Sequence, residues 1–192
     1  MSTYSAALLA GGHSTRMGRD KALLPLPDSH LLLWQRQLRV LEDLQPEEIF
    51  WSGPVRLGLP RHLHVVRDAI KEAGPLAGVS ACLNRLRNDL LVVLAIDLPQ
   101  MNAAFLQGLL AQCSSECGVV AAREGFFEPL AAVYPKRIQT LAAEHLQAAR
   151  FAMHDFIREA LKEGVLQALS IERRDFPLFK NLNEPQDGFE FP

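Results

Sequence analysis

Between residues 9 and 21 the chain reads Leu-Ala-Gly-Gly-His-Ser-Thr-Arg-Met-Gly-Arg-Asp-Lys. Gly11 and Gly12 have no Cβ, so backbone N–H groups there can approach phosphate oxygens closely. Arg16 and Lys21 add cations to the same segment. A glycine cradle with two cations is the chemistry of a nucleoside triphosphate site. The spacing matches neither common phosphate loop. Gly12 and Gly18 are too far apart for G-x-x-x-x-G-K-[ST], Ala22 follows Lys21, and G-x-G-x-x-G is absent. A second candidate is Asp97, which ends the apolar run Leu90 to Ile96 and precedes Leu98-Pro99. Such a carboxylate either caps the next turn or ligates Mg²⁺, which takes few carboxylates and keeps water and substrate phosphates.

These residues need a scaffold that brings residue 9 and residue 97 to one place. Apolar runs of strand length recur at Ser5 to Leu9, Glu48 to Trp51, His64 to Val66, Leu90 to Ile96, Gly118 to Ala122 and Pro129 to Tyr134. Helical spacing separates them: Leu31, Trp34, Leu38 and Leu41, then Leu76, Val79, Leu83 and Leu86 behind Pro75. Asn102 can cap a helix carrying Phe105, Leu106, Leu109 and Leu110, and two more helices cover Arg137 to Ala148 and Phe151 to Lys162. The alternation predicts βαβ units in a three-layer α/β/α sandwich with a largely parallel central sheet, a Rossmann-like single domain over residues 1–192. Leu90 to Ile96, apolar throughout, reads as a central strand covered on both faces. In such sheets ligands collect outside the carboxyl ends of the strands. Leu9 and Ala10 leave one strand there and Asp97 leaves another.

Composition narrows the partners. A net charge of −2 with no lysine-arginine run disfavours nucleic acid. No stretch approaches the ~20 apolar residues of a membrane span, and the N-terminus lacks a secretory pattern. Cys82, Cys113 and Cys117 form no C-x-x-C pair and read as reduced, structural thiols of a cytoplasmic protein. His13, His62, His64 and His154 share no metal-ligand spacing and read as surface or packing residues.

The segment Leu9 to Lys21 resembles the signature loop of the molybdenum cofactor guanylyltransferase (MobA-type) family, within the nucleotide-diphospho-sugar transferase-like superfamily. Further segments in matching order carry the resemblance: Asp68, Gly74-Pro75-Leu76-Ala77-Gly78, Asp97-Leu98-Pro99, Glu128 to Tyr134, and Asn181-Leu182-Asn183-Glu184-Pro185. The resemblance implies transfer of GMP from GTP to molybdopterin or molybdenum-molybdopterin, with release of pyrophosphate. It implies Mg²⁺ at Asp97, catalytic roles for Lys21, Asp97 and Arg16, and nucleotide contacts from Leu9, Ala10, Gly11, Gly12 and Asp68. Ser52 stands where the family has Asn in a Ser-x-Asn-Arg-like segment. Asn181 and Asn183 would face the pterin, and Arg150 lies near an acceptor-side arginine. Other cofactor-biosynthesis proteins and the receiving molybdoenzymes are the implied protein partners.

This reaction class accounts for the missing Ser-His-Asp or Cys-His constellation. A terminal phosphate is already an anion, so attack on the α-phosphate of GTP needs alignment and charge neutralisation more than a strong base. Leu-Ala-Gly-Gly and Gly74 to Gly78 fit the guanine branch better than the cytidylyltransferase forms. A cytidylyltransferase or small sugar-phosphate nucleotidyltransferase is the same-fold alternative. A non-catalytic cofactor carrier is the alternative of a different class.

Overall fold

The computed structural model describes residues 2–11, 20–26, 31–67 and 73–182. Among them seven strands form one sheet: β1 (Tyr4–Leu9), β2 (Ile49–Ser52), β3 (His64–Val66), β4 (Leu90–Ala95), β5 (Gly118–Arg123), β6 (Phe126–Pro135) and β7 (Leu166–Ser170), ordered β3-β2-β1-β4-β6-β5-β7. The order is that of a doubly wound sheet, and β6 alone runs antiparallel to its neighbours. The cause is local. Glu124 and Gly125 both take positive φ, +50° and +84°, the two-residue turn whose twist matches a right-handed hairpin.

Among the described residues five α-helices cover the sheet: α1 (Leu33–Glu42), α2 (Gly74–Leu83), α3 (Ala103–Leu110), α4 (Gln139–Gln147) and α5 (Met153–Lys162). Alternate residues of the central strands feed two cores. Ala6, Leu8, Val92 and Leu94 join Trp34, Leu38 and Leu41 of α1 and Leu106 and Leu109 of α3. Ala7, Leu9, Leu91 and Val93 join Leu76 and Val79 of α2, Leu141 of α4, and Phe156 and Ile157 of α5. Both faces of β4 are therefore filled, which is why its sequence shows no polar alternation. Asn102 caps α3 as its position suggests, accepting from the Phe105 N–H at 2.9 Å. Two helical stripes overrun their helices. Leu31 precedes α1 beside the bridge from Pro25 to Leu32, and Leu86 follows α2 in a turn, buried all the same.

β7 has no counterpart among the strands read from the sequence. Only its first residue is buried and the next four are exposed, so it carries no hydrophobic pattern. Its parallel ladder to β5 defines it instead.

Candidate active site

Registry brings three strand ends together. Leu9 pairs with Ser52 on β2 and with Ala95 on β4. The pairing continues one step beyond the strands: the Ala10 N–H donates to the Ser52 carbonyl at 2.7 Å, and the Ile96 N–H to the Leu9 carbonyl at 3.1 Å. The glycine-rich segment and Asp97 thus leave the sheet from adjacent strands at its carboxyl edge. Ser52 is buried, and its backbone carbonyl anchors the start of the loop. The next residue, Gly53, lies against that loop entry. A Cβ at Gly53 would sit 2.6 Å from the Ala10 carbonyl carbon and 2.7 Å from the Gly11 nitrogen, at a φ of +148°. A Cβ at Gly11 would meet only ordinary contacts, Gly53 Cα at 3.6 Å and the Ser52 oxygen at 3.8 Å. The protein's own packing therefore demands glycine at 53 and not at 11.

On the far side of the glycine-rich segment, Asp20 accepts from the Ala22 N–H at 3.1 Å and starts a short 3₁₀ turn, Lys21–Leu23. Lys21 reaches across the edge and donates from Nζ to the Leu182 carbonyl at 2.7 Å. The Leu182 N–H in turn donates to the Asp97 carbonyl at 2.9 Å. One backbone residue of the C-terminal segment is held on both sides, by the loop cation and by the strand-ending acid. Residues 21, 97 and 181–182, remote in sequence, become neighbours. Burial pushes the Asp97 carboxyl above the usual carboxylate range, and the Lys21 ammonium partly offsets that shift. Asn181 is exposed beside this tether. The expected contacts of Gly12, Arg16, Asp68 and Asn183 fall outside the described residues, as does His13.

The turn after β4 is braced from α1. Buried Gln37 donates to the Ala95 carbonyl at 3.2 Å and the Leu98 carbonyl at 2.8 Å. Arg36 donates to the Gln37 side-chain oxygen at 2.6 Å and to the Met101 carbonyl at 2.8 Å. These contacts satisfy backbone acceptors on both sides of Asp97. Gln37 is not among the residues expected to serve the site, although a polar residue between Trp34 and Leu41 on an apolar stripe is a visible signal.

The remaining titratable groups stand apart. Arg150 pairs with Glu159 at 2.8 Å, where it braces α5. His154 packs on Phe126 and Phe127, His64 on Phe50, and His62 meets Glu42 at 3.2 Å. All three cysteines are free, and burial pushes the Cys113 thiol up to about 12. Among the described residues no three His, Cys, Asp or Glu side chains gather into a metal-ligating group, and no helix is long and apolar enough to cross a membrane.

Comparison with known proteins bears on the family and the fold. A protein of Opitutus terrae named "Probable molybdenum cofactor guanylyltransferase" is 34% identical over 97% of this chain and 93% of its own. The molybdenum cofactor guanylyltransferase of Syntrophotalea carbinolica is 30% identical over 95% of this chain and 88% of its own. Among solved structures, molybdopterin-guanine dinucleotide biosynthesis protein A of Archaeoglobus fulgidus shares the fold with a TM-score of 0.73 and 21% identity, covering 94% of this chain and 93% of that one. The 2-C-methyl-D-erythritol 4-phosphate cytidylyltransferase of Thermus thermophilus does so with a TM-score of 0.68 and 14% identity, covering 97% and 95%. A family model described as MobA-like NTP transferase domain matches residues 6–165, and the chain belongs to that family.

Proposed function

We propose that this chain is a molybdenum cofactor guanylyltransferase that transfers GMP from GTP to molybdopterin or molybdenum-molybdopterin. A phosphate oxygen of the pterin forms a bond to the α-phosphorus of GTP, and the bond from that phosphorus to the β-phosphate oxygen breaks. Molybdopterin guanine dinucleotide and pyrophosphate result. The observation that carries the reading is the Lys21–Leu182–Asp97 junction at the strand edge. It sets the loop cation and an acidic strand end beside the C-terminal segment. Relatives over nearly the whole chain carry the guanylyltransferase name.

In this mechanism the protein aligns and neutralises. The Gly11-Gly12 backbone approaches phosphate oxygens, and Lys21 neutralises charge on the α-phosphate and the departing pyrophosphate. An ammonium has three donors, so the bond to Leu182 leaves capacity for a phosphate. Arg16 steadies the β- and γ-phosphates, Asp68 contacts the nucleotide, and Asn181 and Asn183 face the pterin. Nucleotidyltransferases generally use a divalent metal. One half-buried carboxylate whose ionised form lacks solvation suits Mg²⁺, which needs few protein oxygens. Asp97 would hold it, and the ion would supply further neutralisation of phosphate charge. Three free cysteines fit a reducing, cytoplasmic setting.

Pyrophosphate release with GTP, CTP, ATP and UTP, each with and without molybdopterin, tests the proposal. Release with GTP that requires molybdopterin supports it. Preference for CTP assigns the chain to the cytidylyltransferases, and binding of pterin without any turnover makes it a carrier.

A further inference from the structure

Lys21 can meet a phosphate only if both ends of the glycine-rich segment are fixed to the sheet. One end, Ala10, follows β1, and the other, Asp20, begins the turn that carries Lys21. Arg56, in the connection between β2 and β3, binds both. Its Nη2 donates to the Ala10 carbonyl at 3.1 Å and to Asp20 Oδ1 at 2.9 Å, while Nε donates to Asp20 Oδ2 at 2.8 Å. Its Nη1 donates to the Pro54 carbonyl at 3.1 Å, the same oxygen that accepts from the Trp51 indole at 3.0 Å. The guanidinium carbon lies 5.2 Å from the centroid of the Trp51 ring, and the Arg56 side chain is only 7% exposed. Trp51 is fully buried and packs edge-on against Trp34 of α1. A continuous path runs from the core through Trp51 and Arg56 to Asp20, and from there into the turn bearing Lys21.

We propose that Arg56 is a positioning residue for guanylyl transfer, clasping the two ends of the glycine-rich segment and setting Lys21 at the strand edge through Asp20. The inference rests on the phosphate role assigned to Lys21. Arg56 acts on geometry, because four of its five N–H donors are already engaged with Ala10, Asp20 and Pro54. The clasp needs a planar fork. A lysine ammonium is a point charge that cannot pair with both Asp20 oxygens and reach Ala10 in one plane. The Asp20 carboxyl is held below its usual range chiefly by its hydrogen bond to Arg56, so the pair is ionic at neutral pH.

The test is a mutant cycle read as kcat and KM for GTP in pyrophosphate release, with thermal unfolding measured in parallel. Arg56→Lys should keep a folded protein and lower kcat/KM about 10- to 100-fold, the scale of a misplacement near 1 Å. In a Lys21→Ala background the same substitution should change the rate less than about two-fold, because the group it positions is gone. Asp20→Asn, on the more exposed partner, should reproduce the Arg56→Lys loss and add nothing to it. It also keeps the test open if Arg56→Lys fails to fold. If Lys21→Ala is impaired and Arg56→Lys multiplies that loss in full, or if Asp20→Asn and Arg56→Lys both turn over normally, the clasp is refuted and the Lys21 assignment stands. If Lys21→Ala itself is normal, the Lys21 assignment falls and the clasp falls with it.

Discussion

Replacing Lys21 with alanine separates what this side chain does for the fold from what it does for the reaction. In the ligand-free protein the substitution removes, among the described residues, the hydrogen bond from Nζ to the Leu182 carbonyl at 2.7 Å and the attraction of the ammonium to the Asp97 carboxyl. Hydrogen bonds to charged groups contribute roughly 1.5–3 kcal/mol net, and partial solvent access places this one at the low end. A loss of about 1.5 kcal/mol lowers Tm by roughly 3–6 °C in a chain of this size. In the proposed transition state the same ammonium faces developing phosphate charge. Loss of one such well-aligned contact costs about 2.7–4 kcal/mol, or two to three decades in kcat. The variant should therefore unfold slightly early and turn over very slowly. The missing tether to Leu182 should also raise KM for molybdopterin, since Leu182 sits between Asn181 and Asn183. Steady-state pyrophosphate release, with each substrate varied in turn and Tm measured on the same samples, gives the comparison. A kcat within a few-fold of wild type would remove Lys21 from the chemistry. A Tm loss large enough to leave little folded protein would make it a structural residue instead.

Four further outcomes are expected. Asp97→Asn should raise Tm of the metal-free protein while eliminating activity. Burial raises the Asp97 pKa, so the folded state favours the neutral form and its ionised form lowers stability above the unfolded carboxylate pKa; an unchanged or lower Tm would contradict this. Glu159 is held below its usual range by hydrogen bonds from His145 and Arg150, at 2.9 and 2.8 Å. Its contribution is present above the unfolded glutamate pKa and lost as pH falls through the lower folded value, so Glu159→Gln should flatten that part of the acid denaturation curve. Gly53→Ala should disrupt the loop entry, because its Cβ would fall 2.6–2.8 Å from the Ala10–Gly11 backbone, whereas Gly11→Ala should leave Tm nearly unchanged and alter only nucleotide use. Joint replacement of Asn181 and Asn183 by alanine should weaken molybdopterin binding, at about 0.5–1.5 kcal/mol per amide hydrogen bond, with GTP affinity retained in calorimetric titration.

The fold was legible wherever burial dictated residue type. Both faces of β1 and β4 are covered, so their sequences are nearly all apolar, and the alternation of such runs with helical spacing was enough to place them in one sheet. The antiparallel β6 rests on a single dipeptide, Glu124-Gly125, whose positive φ values reverse the chain. β7 rests on backbone pairing to β5 at an exposed edge, where side chains are under little packing constraint.

The site divides in the same way, for a different reason. The proposed phosphate roles of Lys21, Gly11 and Asp97 were read from residue type, and the register of β1 against β4 brings the segments that carry them to one edge. The groups that hold them in place carry no such restriction. Arg56 is one arginine among many in the sequence, and its role follows only from where the Gly53 approach puts the β2–β3 connection, beside Ala10 and Asp20. Gln37 is visible as a polar residue on an apolar stripe, but its task shows only once its amide is seen donating to the Ala95 and Leu98 carbonyls on either side of Asp97. Leu182 joins Asp97 and Lys21 through its backbone, donating toward the first and accepting from the second, while its buried side chain packs in the core, so its residue type reports packing and not the tether. Residue chemistry selects the groups proposed to touch the phosphates; chain geometry selects the groups that would aim them. A cation placed by a turn and a tether, with no strand or α-helix of its own, depends on the second set as much as on the first.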